Sequence, residues 1–367
     1  MTLHRSALHP LLAASGATLQ QRFGWELPRA YSGPAAEFRA ATQSAAVHDL
    51  SYLGRLKAAG KDALDLLNRL STNQVLKLAP GQGAPTILTT DRGRILDLVA
   101  VINTGPDSIG VLLLTSPGMQ QPVIQWLDKY TIMEDLTVTD LTQETTLLAV
   151  LGPQARSALE RVCGVSLAGL APFHSVMGRA AGQPLRVIHR PLGELPSYDL
   201  LMSPQTAPQV WSDLVGLDAG IMPAGLAAYE ALRVQQGVPA YGQELGEDYN
   251  PLEAGLIGAI SFTKGCYIGQ EVIARLDTYK KVQKRLAMLR FSPDAEVSPG
   301  ATLQQGGQEV GQVTSVARVP GTEELMGLGY LRGSPAPGTR LEVVVDGAAQ
   351  GRAEVAKLPL LFGPGEG

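Results

Sequence analysis

The segment TKGCYIGQEVIAR, residues 263–275, places a cysteine where it could do chemistry. Cys266 lies between Gly265 and Gly269. Lys264 directly precedes Gly265. The basic residue makes the surroundings electropositive and the glycines permit a tight backbone, which together favour an accessible thiolate. A thiolate can attack a disulfide, take up an oxidant or bind iron. The alternative is a small buried residue packed in a turn, which is common for a free cysteine.

The other cysteine and the histidines do not indicate a metal site. Cys163 lies on the apolar face of a predicted helix, PQARSALERVCG, where we expect it to be buried. Two cysteines supply neither a disulfide framework nor a CxxC pair. The five histidines show no HxxxH or HxxE spacing. They are His4, His9, His48, His174 and His189.

The composition of the 367 residues is that of a globular protein, with 45% hydrophobic and 17% charged residues. A net charge of −4 gives no overall attraction for nucleic acid, so we expect no direct nucleic-acid binding. No apolar run approaches the ~20 residues of a membrane span. The first residues are interrupted by His9 and Pro10 and lack the apolar core of a secretory signal. We therefore expect a cytoplasmic protein that does not contact a membrane.

Strand and helix patterns alternate through the first three quarters of the chain. The segments GRLKAAG, ILDLVAVI, TLLAVLG, LRVIHR and YDLLMS have the apolar patterns of strands. The segments KDALDLLNRLS, PQARSALERVCG and GLAAYEALRVQQG place their apolar residues on one helical face. Asp91-Arg92-Gly93 has the composition of a hairpin turn. This interleaving predicts an α+β or α/β body.

The pattern changes from residue 286 onward. Short alternating runs such as LAMLRF, EVGQVTSVARV and RLEVVV follow one another, separated by glycine and proline. This pattern is typical of an all-β barrel or sandwich. The basic run YKKVQKR just before it predicts a solvated linker at the boundary.

Several of these segments together resemble one family. VHDLS, STN, GQG, DRGRILDLVAV, YGQEL, PLEAGL and TSVARVP occur in an order that resembles the folate-binding T protein of the glycine cleavage system and its relatives. Where T proteins usually carry an acidic residue and a phenylalanine, this chain has Cys266-Tyr267. The run KGCYIGQE instead resembles the motif of the YgfZ branch, which is implicated in the maintenance of iron–sulfur proteins.

The resemblance implies an α+β fold, with a T-protein-like body that includes at least one ferredoxin-like domain around a central folate pocket. A C-terminal all-β barrel domain completes it. We expect an N-terminal α/β part at residues 1–140, a second, ferredoxin-like part carrying KGCYIGQE at 141–283, and the barrel at 284–367. The implied ligand is tetrahydrofolate or a one-carbon derivative of it.

A pterin ring presents adjacent N–H donors that a carboxylate can accept in bidentate fashion. The resemblance places Asp199 at the position of the family's pterin-binding glutamate. It also places Glu194 in the folate site, beside the matching Gly193. The family tyrosine ahead of that glycine is Pro191 here. The alternative for Asp199 is a solvent-facing charge on a strand.

Asp97 matches the first acid of the acidic pair in T proteins, and Leu98 stands where the second acid would be. The resemblance implies that Asp97 positions folate nitrogens or handles a proton. Its alternative is a structural role at the strand. Arg233 matches a family arginine that lines the folate site, although an arginine on an apolar helix can also pair structurally.

Glu253 in PLEAGL and Lys264 in KGCYIGQE are further residues that the resemblance assigns to folate binding. The alternative for Glu253 is capping or pairing with a basic residue. The basic run of the linker could meet the glutamate tail of folate or an acidic partner: it contains Lys280, Lys281, Lys284 and Arg285.

The resemblance thus implies a tetrahydrofolate-binding protein with Cys266 as its chemical centre. Its role would be to support iron–sulfur cluster assembly or repair, and thereby iron–sulfur-dependent tRNA modification. Its implied partners are folate and iron–sulfur proteins or assembly factors. The alternative function is that of an aminomethyltransferase acting on a lipoyl-carried aminomethyl group. Cys266-Tyr267 and Leu98 argue against this alternative, because they replace acidic residues of T proteins.

Overall fold

The computed structural model describes residues 3–106, 108–216 and 221–363. Its helices are α1 His9–Ala14, α2 Pro34–Gln43, α3 Ala63–Leu70, α4 Gln120–Tyr130, α5 Ala155–Cys163, α6 Ala207–Val215, α7 Leu226–Gln235 and α8 Gln270–Thr278, with a 3-10 turn at Ile257–Ala259. Its strands are β1 Thr18–Arg22, β2 Trp25–Ala30, β3 Ala45–Asp49, β4 Gly54–Ala59, β5 Gly83–Thr89, β6 Ile95–Gly105, β7 Gly110–Thr115, β8 Thr137–Asp140, β9 Thr146–Leu151, β10 Ser175–Ala180, β11 Gln183–His189, β12 Ser197–Met202, β13 Ile221–Pro223, β14 Lys284–Phe291, β15 Thr302–Gln305, β16 Gln308–Arg318, β17 Leu325–Arg332, β18 Arg340–Val345 and β19 Ala348–Ala356.

The first sheet is antiparallel and has the strand order β5-β6-β7-β4-β8. Successive side chains of β6 point to opposite faces of the sheet. Val99 and Val101 pack in one cluster with α3 and α4, whereas Ala100 and Ile102 belong to a central core on the other face. Because both faces are covered, the strand has a nearly continuous apolar sequence.

The second sheet has the order β10-β11-β12-β9-β3-β13. In β9, Leu148 and Val150 pack in a cluster with α5 and α6, whereas Leu147 and Ala149 face the central core. Strand β3 comes from the segment expected at residues 1–140, yet it pairs with β9. This sheet therefore crosses the expected boundary at residue 140, because the chain before the first sheet supplies a strand to the second.

The six strands β14 to β19 form a closed barrel in the order β14-β17-β16-β15-β18-β19. Pairing of β14 with β19 closes it, so that no long sheet edge is left open. Leu289, Leu303 and Val343 are fully buried in its interior. The prediction of an α+β body followed by an all-β barrel is thus confirmed; residues 364–367, at the end of the expected barrel segment, lie outside the described residues.

One hydrophobic cluster joins the two sheets, α7 and the barrel. It includes Ile102 from the first sheet, Leu147 from the second, Leu232 from α7 and Leu328 from the barrel. Burial of apolar surface from all of these parts at once is the main force that holds them in one arrangement. Within the described ranges, no helix combines the length and apolar character needed to cross a membrane.

Candidate functional site

A central cleft lies where the two sheets and α7 meet. Its volume is about 1170 Å³, including the part that is open to solvent. Six aromatic residues line it: Phe23, Tyr52, Phe173, Tyr229, Tyr241 and Phe362. A cleft of this size with largely apolar walls suits a flat organic ligand.

His48 positions two of the cleft tyrosines. Its ring stacks on Tyr229 with the centroids 4.3 Å apart, and its Nε2 lies 3.2 Å from the Tyr52 hydroxyl. Burial lowers the pKa of His48, so the ring is neutral, donates from Nδ1 to the Ala224 carbonyl and accepts from Tyr52. Burial also raises the pKa of Tyr52 and of Tyr229. Both tyrosines therefore remain neutral phenols at physiological pH.

Three charged residues line the cleft: Arg190, Glu230 and Arg233. Glu230 accepts hydrogen bonds from Arg22 at 3.2 Å and from Arg233 at 3.4 Å. A few converging charges in an otherwise apolar cleft are the usual means of orienting a ligand.

Arg233 connects the cleft to the barrel. It is buried and donates to the Val238 carbonyl at 2.8 Å, to Gln243 at 3.0 Å and to the Ser315 hydroxyl of β16 at 3.0 Å. It also pairs with the buried carboxylate of Glu244 at 3.3 Å. Arg233 thus reaches the cleft, as the resemblance implies, while most of its donors serve a structural network.

Asp199 lies behind the cleft wall. On β12 it pairs with Ile188 and Ala149 of the neighbouring strands, both members of the central core, so its side chain belongs to the central face of the second sheet. It is fully buried and is therefore not a solvent-facing strand charge. Its Oδ2 accepts a hydrogen bond from Nε of Arg190, and its Oδ1 has no partner among the described residues. Burial raises the pKa of the Asp199 carboxyl, and the Arg190 guanidinium opposes that shift.

Asp97 is fully buried beside the cleft rather than in its lining. Its Oδ2 accepts a hydrogen bond from the backbone N–H of Ser116 at 3.0 Å, and both Ser116 and Leu98 line the cleft. Its Oδ1 has no partner in the described part of the chain. Burial raises the pKa of Asp97 to about 7. Burial also raises the pKa of Tyr241, a cleft residue, and the Asp97 carboxylate adds to this shift.

Three residues assigned to folate binding lie elsewhere. The side chain of Glu194 is exposed to solvent. Glu253 accepts a hydrogen bond from the backbone N–H of Asn250, and its carboxylate lies 3.6 Å from the Arg94 guanidinium. These contacts correspond to the capping and pairing role that was the alternative to folate binding. Lys264 is buried with its Nζ directed at backbone carbonyls. The cleft lining among the described residues includes none of the three.

Lys264 instead fastens the segment that carries Cys266. Its ammonium group donates to three backbone carbonyls at the end of α3 and just beyond it: those of Asn68, Ser71 and Asn73. The distances are 2.5, 2.8 and 2.8 Å. Burial lowers the pKa of Lys264 to about 8.

The end of the same segment packs against the hairpin between β5 and β6. The Thr89 hydroxyl donates to the Ile268 carbonyl at 2.6 Å. Gly269 has a φ of 84°, and a Cβ there would lie 2.6 Å from the Thr90 carbonyl oxygen, so only glycine fits this approach. Cys266 is exposed on this fixed segment. Cys163 is buried as expected, and burial raises its pKa to about 12.

The described residues contain no group of three or more His, Cys, Asp and Glu side chains that could hold a metal ion. The site thus consists of the aromatic cleft and, apart from its lining, the exposed thiol of Cys266.

Two sheets around an aromatic cleft, completed by a six-stranded barrel, define the architecture of the protein. The family model described as the GCVT N-terminal domain matches residues 8–264. The model described as the glycine cleavage T-protein C-terminal barrel domain matches residues 284–361. The chain belongs to the glycine cleavage T-protein family.

Individual relatives agree with this assignment. The chain is 33% identical over 335 residues to an aminomethyltransferase of Picosynechococcus sp., and the match covers 90% of each of the two chains. It is 35% identical over 287 residues to a putative chloroplastic transferase of Arabidopsis thaliana, and this match covers 78% of this chain and 65% of that protein. The crystal structure of the glycine cleavage system aminomethyltransferase T from Bartonella henselae superposes with a TM-score of 0.87 over 98% of both chains. At 22% identity this likeness shows the fold.

Sequence reasoning missed four residues that line the cleft, and also His48, which positions two of them: the four are Tyr52, Arg190, Tyr229 and Glu230. His48 is part of the VHDLS motif, which could have directed attention to it. Arg190 directly precedes the segment PLGELPSYD that was aligned with the pterin-binding motif. Its contact with Asp199 depends on the pairing of β11 with β12, which no local pattern reports.

Proposed function

We propose that the protein binds tetrahydrofolate in the central cleft and transfers to it the one-carbon unit of a carrier-bound aminomethyl group, with release of ammonia, as an enzyme of the aminomethyltransferase class. The observation that carries the proposal is the cleft itself, an aromatic space between the two sheets lined by Arg190, which is bonded to the buried carboxylate of Asp199 behind the wall. The relatives described as aminomethyltransferases support the same class of reaction.

The residues of the cleft fit the chemistry of a folate. The flat pterin and benzoyl rings would pack against aromatic walls, which bury much apolar surface without strain. The donors on the pterin edge need a carboxylate acceptor in a site that excludes water, and the resemblance assigns this role to Asp199, whose partner Arg190 lines the cleft. Arg233 would face the polar part of the ligand, since it lines the cleft and its Nε has no partner among the described residues.

Asp97 is the proposed acid–base group. A carboxyl whose pKa is near 7 can give up and regain a proton at the working pH, which is the condition for general acid–base catalysis. It lies next to cleft-lining Leu98 and is bonded to the backbone of cleft-lining Ser116. Such a group can handle the proton of a folate nitrogen when the carbon unit is transferred.

Two measurements test the proposal. Calorimetry should detect binding of tetrahydrofolate, and Asp199→Ala should weaken it by ~1–3 kcal/mol because buried pterin donors would lose their acceptor. Ammonia release from an aminomethyl-lipoyl carrier with tetrahydrofolate should proceed at roughly 1 s⁻¹ or faster. It should fall at least tenfold in Asp97→Asn. A protein that binds no reduced folate would refute the proposal, and one that binds it without releasing ammonia would refute its transferase part.

A second candidate function is the support of iron–sulfur proteins, as in the YgfZ branch. The observation that favours it is the exposed thiol of Cys266 on a fixed segment. This thiol does not line the cleft, so the proposed transferase reaction gives it no role. Native protein treated with an alkylating agent should be modified at Cys266 before Cys163. Cys266→Ser should then fail to restore iron–sulfur enzyme activity in cells that lack the protein, whereas Cys163→Ser should restore it. Full restoration by Cys266→Ser would leave the transferase as the remaining function.

A further inference from the structure

Three phenylalanines of the cleft have an unusual backbone conformation. Among the six phenylalanines of the chain, Phe23, Phe173 and Phe362 have φ angles of 56°, 66° and 66°, in the left-handed region. A bulky side chain rarely adopts this region, because its Cβ then lies too close to the backbone. All three line the cleft, whereas the lining contains none of the other non-glycine residues with positive φ in the described part of the chain. Residues strained in this way cluster at functional sites, where the surrounding structure holds them against their own preference.

Phe23 occupies a turn that favours a different residue. Arg22 pairs with Trp25 in the hairpin of β1 and β2, which leaves Phe23 and Gly24 as a two-residue turn. Both turn residues have a positive φ, 56° and 77°. Asparagine followed by glycine is the usual sequence of such a turn, because asparagine tolerates the left-handed region. The turn itself therefore gives no reason for a phenylalanine.

The contacts of Phe23 place its ring at the mouth of the cleft. The ring stacks on Tyr52 with the centroids 5.2 Å apart and the planes at 21°. The guanidinium of Arg22 lies 4.8 Å from the Phe23 centroid and reaches Glu230 of α7 at 3.2 Å. Tyr52 and Glu230 both line the cleft, so the turn is held against two of its walls. Since Phe23 is still 38% exposed, its ring borders both the cleft and the solvent.

Burial in the protein core does not account for this side chain. Phe23 is not part of the central hydrophobic cluster, and more than a third of its surface remains open in the free protein. A ligand ring that covered the exposed part would remove apolar surface from water. Phe23 would then stabilise the complex more than it stabilises the free protein.

We propose that Phe23 holds the ligand in the cleft, because its ring packs at the mouth against a ring of the bound folate and slows its release. The inference rests on the proposed binding of tetrahydrofolate. It adds a contact residue from the β1–β2 turn, which the family resemblance does not assign. Loss of a contact of this kind mainly raises the dissociation rate. A Phe23 that only shaped the turn would change stability and leave binding as it is.

The test replaces Phe23 by asparagine, which gives the turn its usual Asn-Gly sequence. Ala181→Asn is the matched control, since Ala181 and Gly182 form the equivalent turn between β10 and β11, with φ angles of 51° and 72°. This second turn is exposed and lies outside the cleft lining. Both variants should have an unfolding midpoint at or above that of the wild type. Only Phe23→Asn should weaken binding of tetrahydrofolate, by about tenfold or more in calorimetry under reducing conditions. Stopped-flow displacement should show most of this change in the dissociation rate.

Conservative variants separate the ring from the turn. Phe23→Tyr keeps the ring and should retain the wild-type affinity, whereas Phe23→Leu keeps only the apolar character and should lose part of it. Wild-type affinity in Phe23→Asn would overturn the inference and leave folate binding in place. A loss of affinity that came with an unfolding midpoint below those of the wild type and Ala181→Asn would also overturn it, since the role of Phe23 would then be structural.

Failure of the wild type to bind tetrahydrofolate would overturn the proposed function and this inference with it. If Phe23→Asn does not fold, Phe23→Leu decides the result. Weaker binding at an unchanged unfolding midpoint in that variant supports the inference, and wild-type affinity overturns it.

Discussion

Burial separates the carboxylates that sequence alone treats alike. Asp97, Asp199, Glu194 and Glu253 all occur in segments that resemble family motifs, but only the two aspartates are fully buried with an unpartnered oxygen among the described residues. A buried carboxylate oxygen without a partner is costly, and it persists where function requires it. Sequence could point to these aspartates through the motifs. It could not show that Arg190 bonds the carboxylate of Asp199, because that contact depends on the pairing of β11 with β12.

The raised pKa of Asp97 predicts a pH dependence of stability that Asp97→Asn removes. Folded protein keeps the proton up to about pH 7, whereas the unfolded chain loses it near pH ~3.9. Between these values the folded state binds more protons, so the free energy of unfolding falls as pH rises from about 4 to 7. The difference between wild type and Asp97→Asn should change by on the order of 1 kcal/mol per pH unit in this range.

Urea unfolding at several pH values between 4 and 8 measures this difference. Asp91→Asn, in the exposed turn between β5 and β6, is the control. A constant difference between wild type and Asp97→Asn across the range would mean that Asp97 is ionised throughout, and would remove its proposed role as a proton donor near neutral pH.

At the scale of an element, the segment from residue 261 to 269 has no regular secondary structure over most of its length, yet it is fixed at several points. Ser261 bonds the Thr72 carbonyl, Ile268 bonds the Arg69 carbonyl at 3.1 Å, and Lys264 bonds three further carbonyls near them. The sequence predicted the tight turns from the glycines. It did not predict that Lys264 is buried, because a lysine is almost always exposed and its partners here are backbone atoms about 190 residues away.

Replacement of Lys264 by methionine should therefore loosen the segment that presents Cys266. Three buried carbonyls would lose their donor, so we expect the free energy of unfolding to fall by roughly 3 kcal/mol. Hydrogen exchange at the Ile268 amide should become faster. Lys77→Met, at an exposed position four residues after Asn73, should change stability by less than about 0.5 kcal/mol. If the two variants were equally stable, the carbonyl contacts would not fix the segment.

For the whole molecule, the periodic patterns predicted the class of fold well. Alternation and helical faces depend on neighbouring residues, so they identified β6, β9, α3 and α7 and the change to an all-β barrel. Pairing between distant segments has no such local signal. This is why the contribution of β3 to the second sheet was not foreseen, and why the contacts that join the body to the barrel had to come from the structure.

Glu244 is central to the junction between body and barrel. Its carboxylate is fully buried and accepts hydrogen bonds from Thr314 and Ser315 of β16, while it also pairs with Arg233 on α7. Glu244→Gln removes the fully buried one of the two carboxylates that pair with Arg233, the other being Glu230. Breaking a buried pair in this way should lower the free energy of unfolding by on the order of 3 kcal/mol.

The same substitution should weaken binding of tetrahydrofolate, because Arg233 lines the cleft and would lose the partner that orients it. Glu247→Gln provides the matched control, since Glu247 is exposed three residues away. Chemical unfolding and calorimetry on both variants give the two readouts. Loss of stability without loss of affinity would show that the junction holds the barrel but does not shape the cleft. Unchanged stability in Glu244→Gln would contradict the role of this carboxylate altogether, because a buried arginine that loses its fully buried partner should be destabilised even with Glu230 still in place.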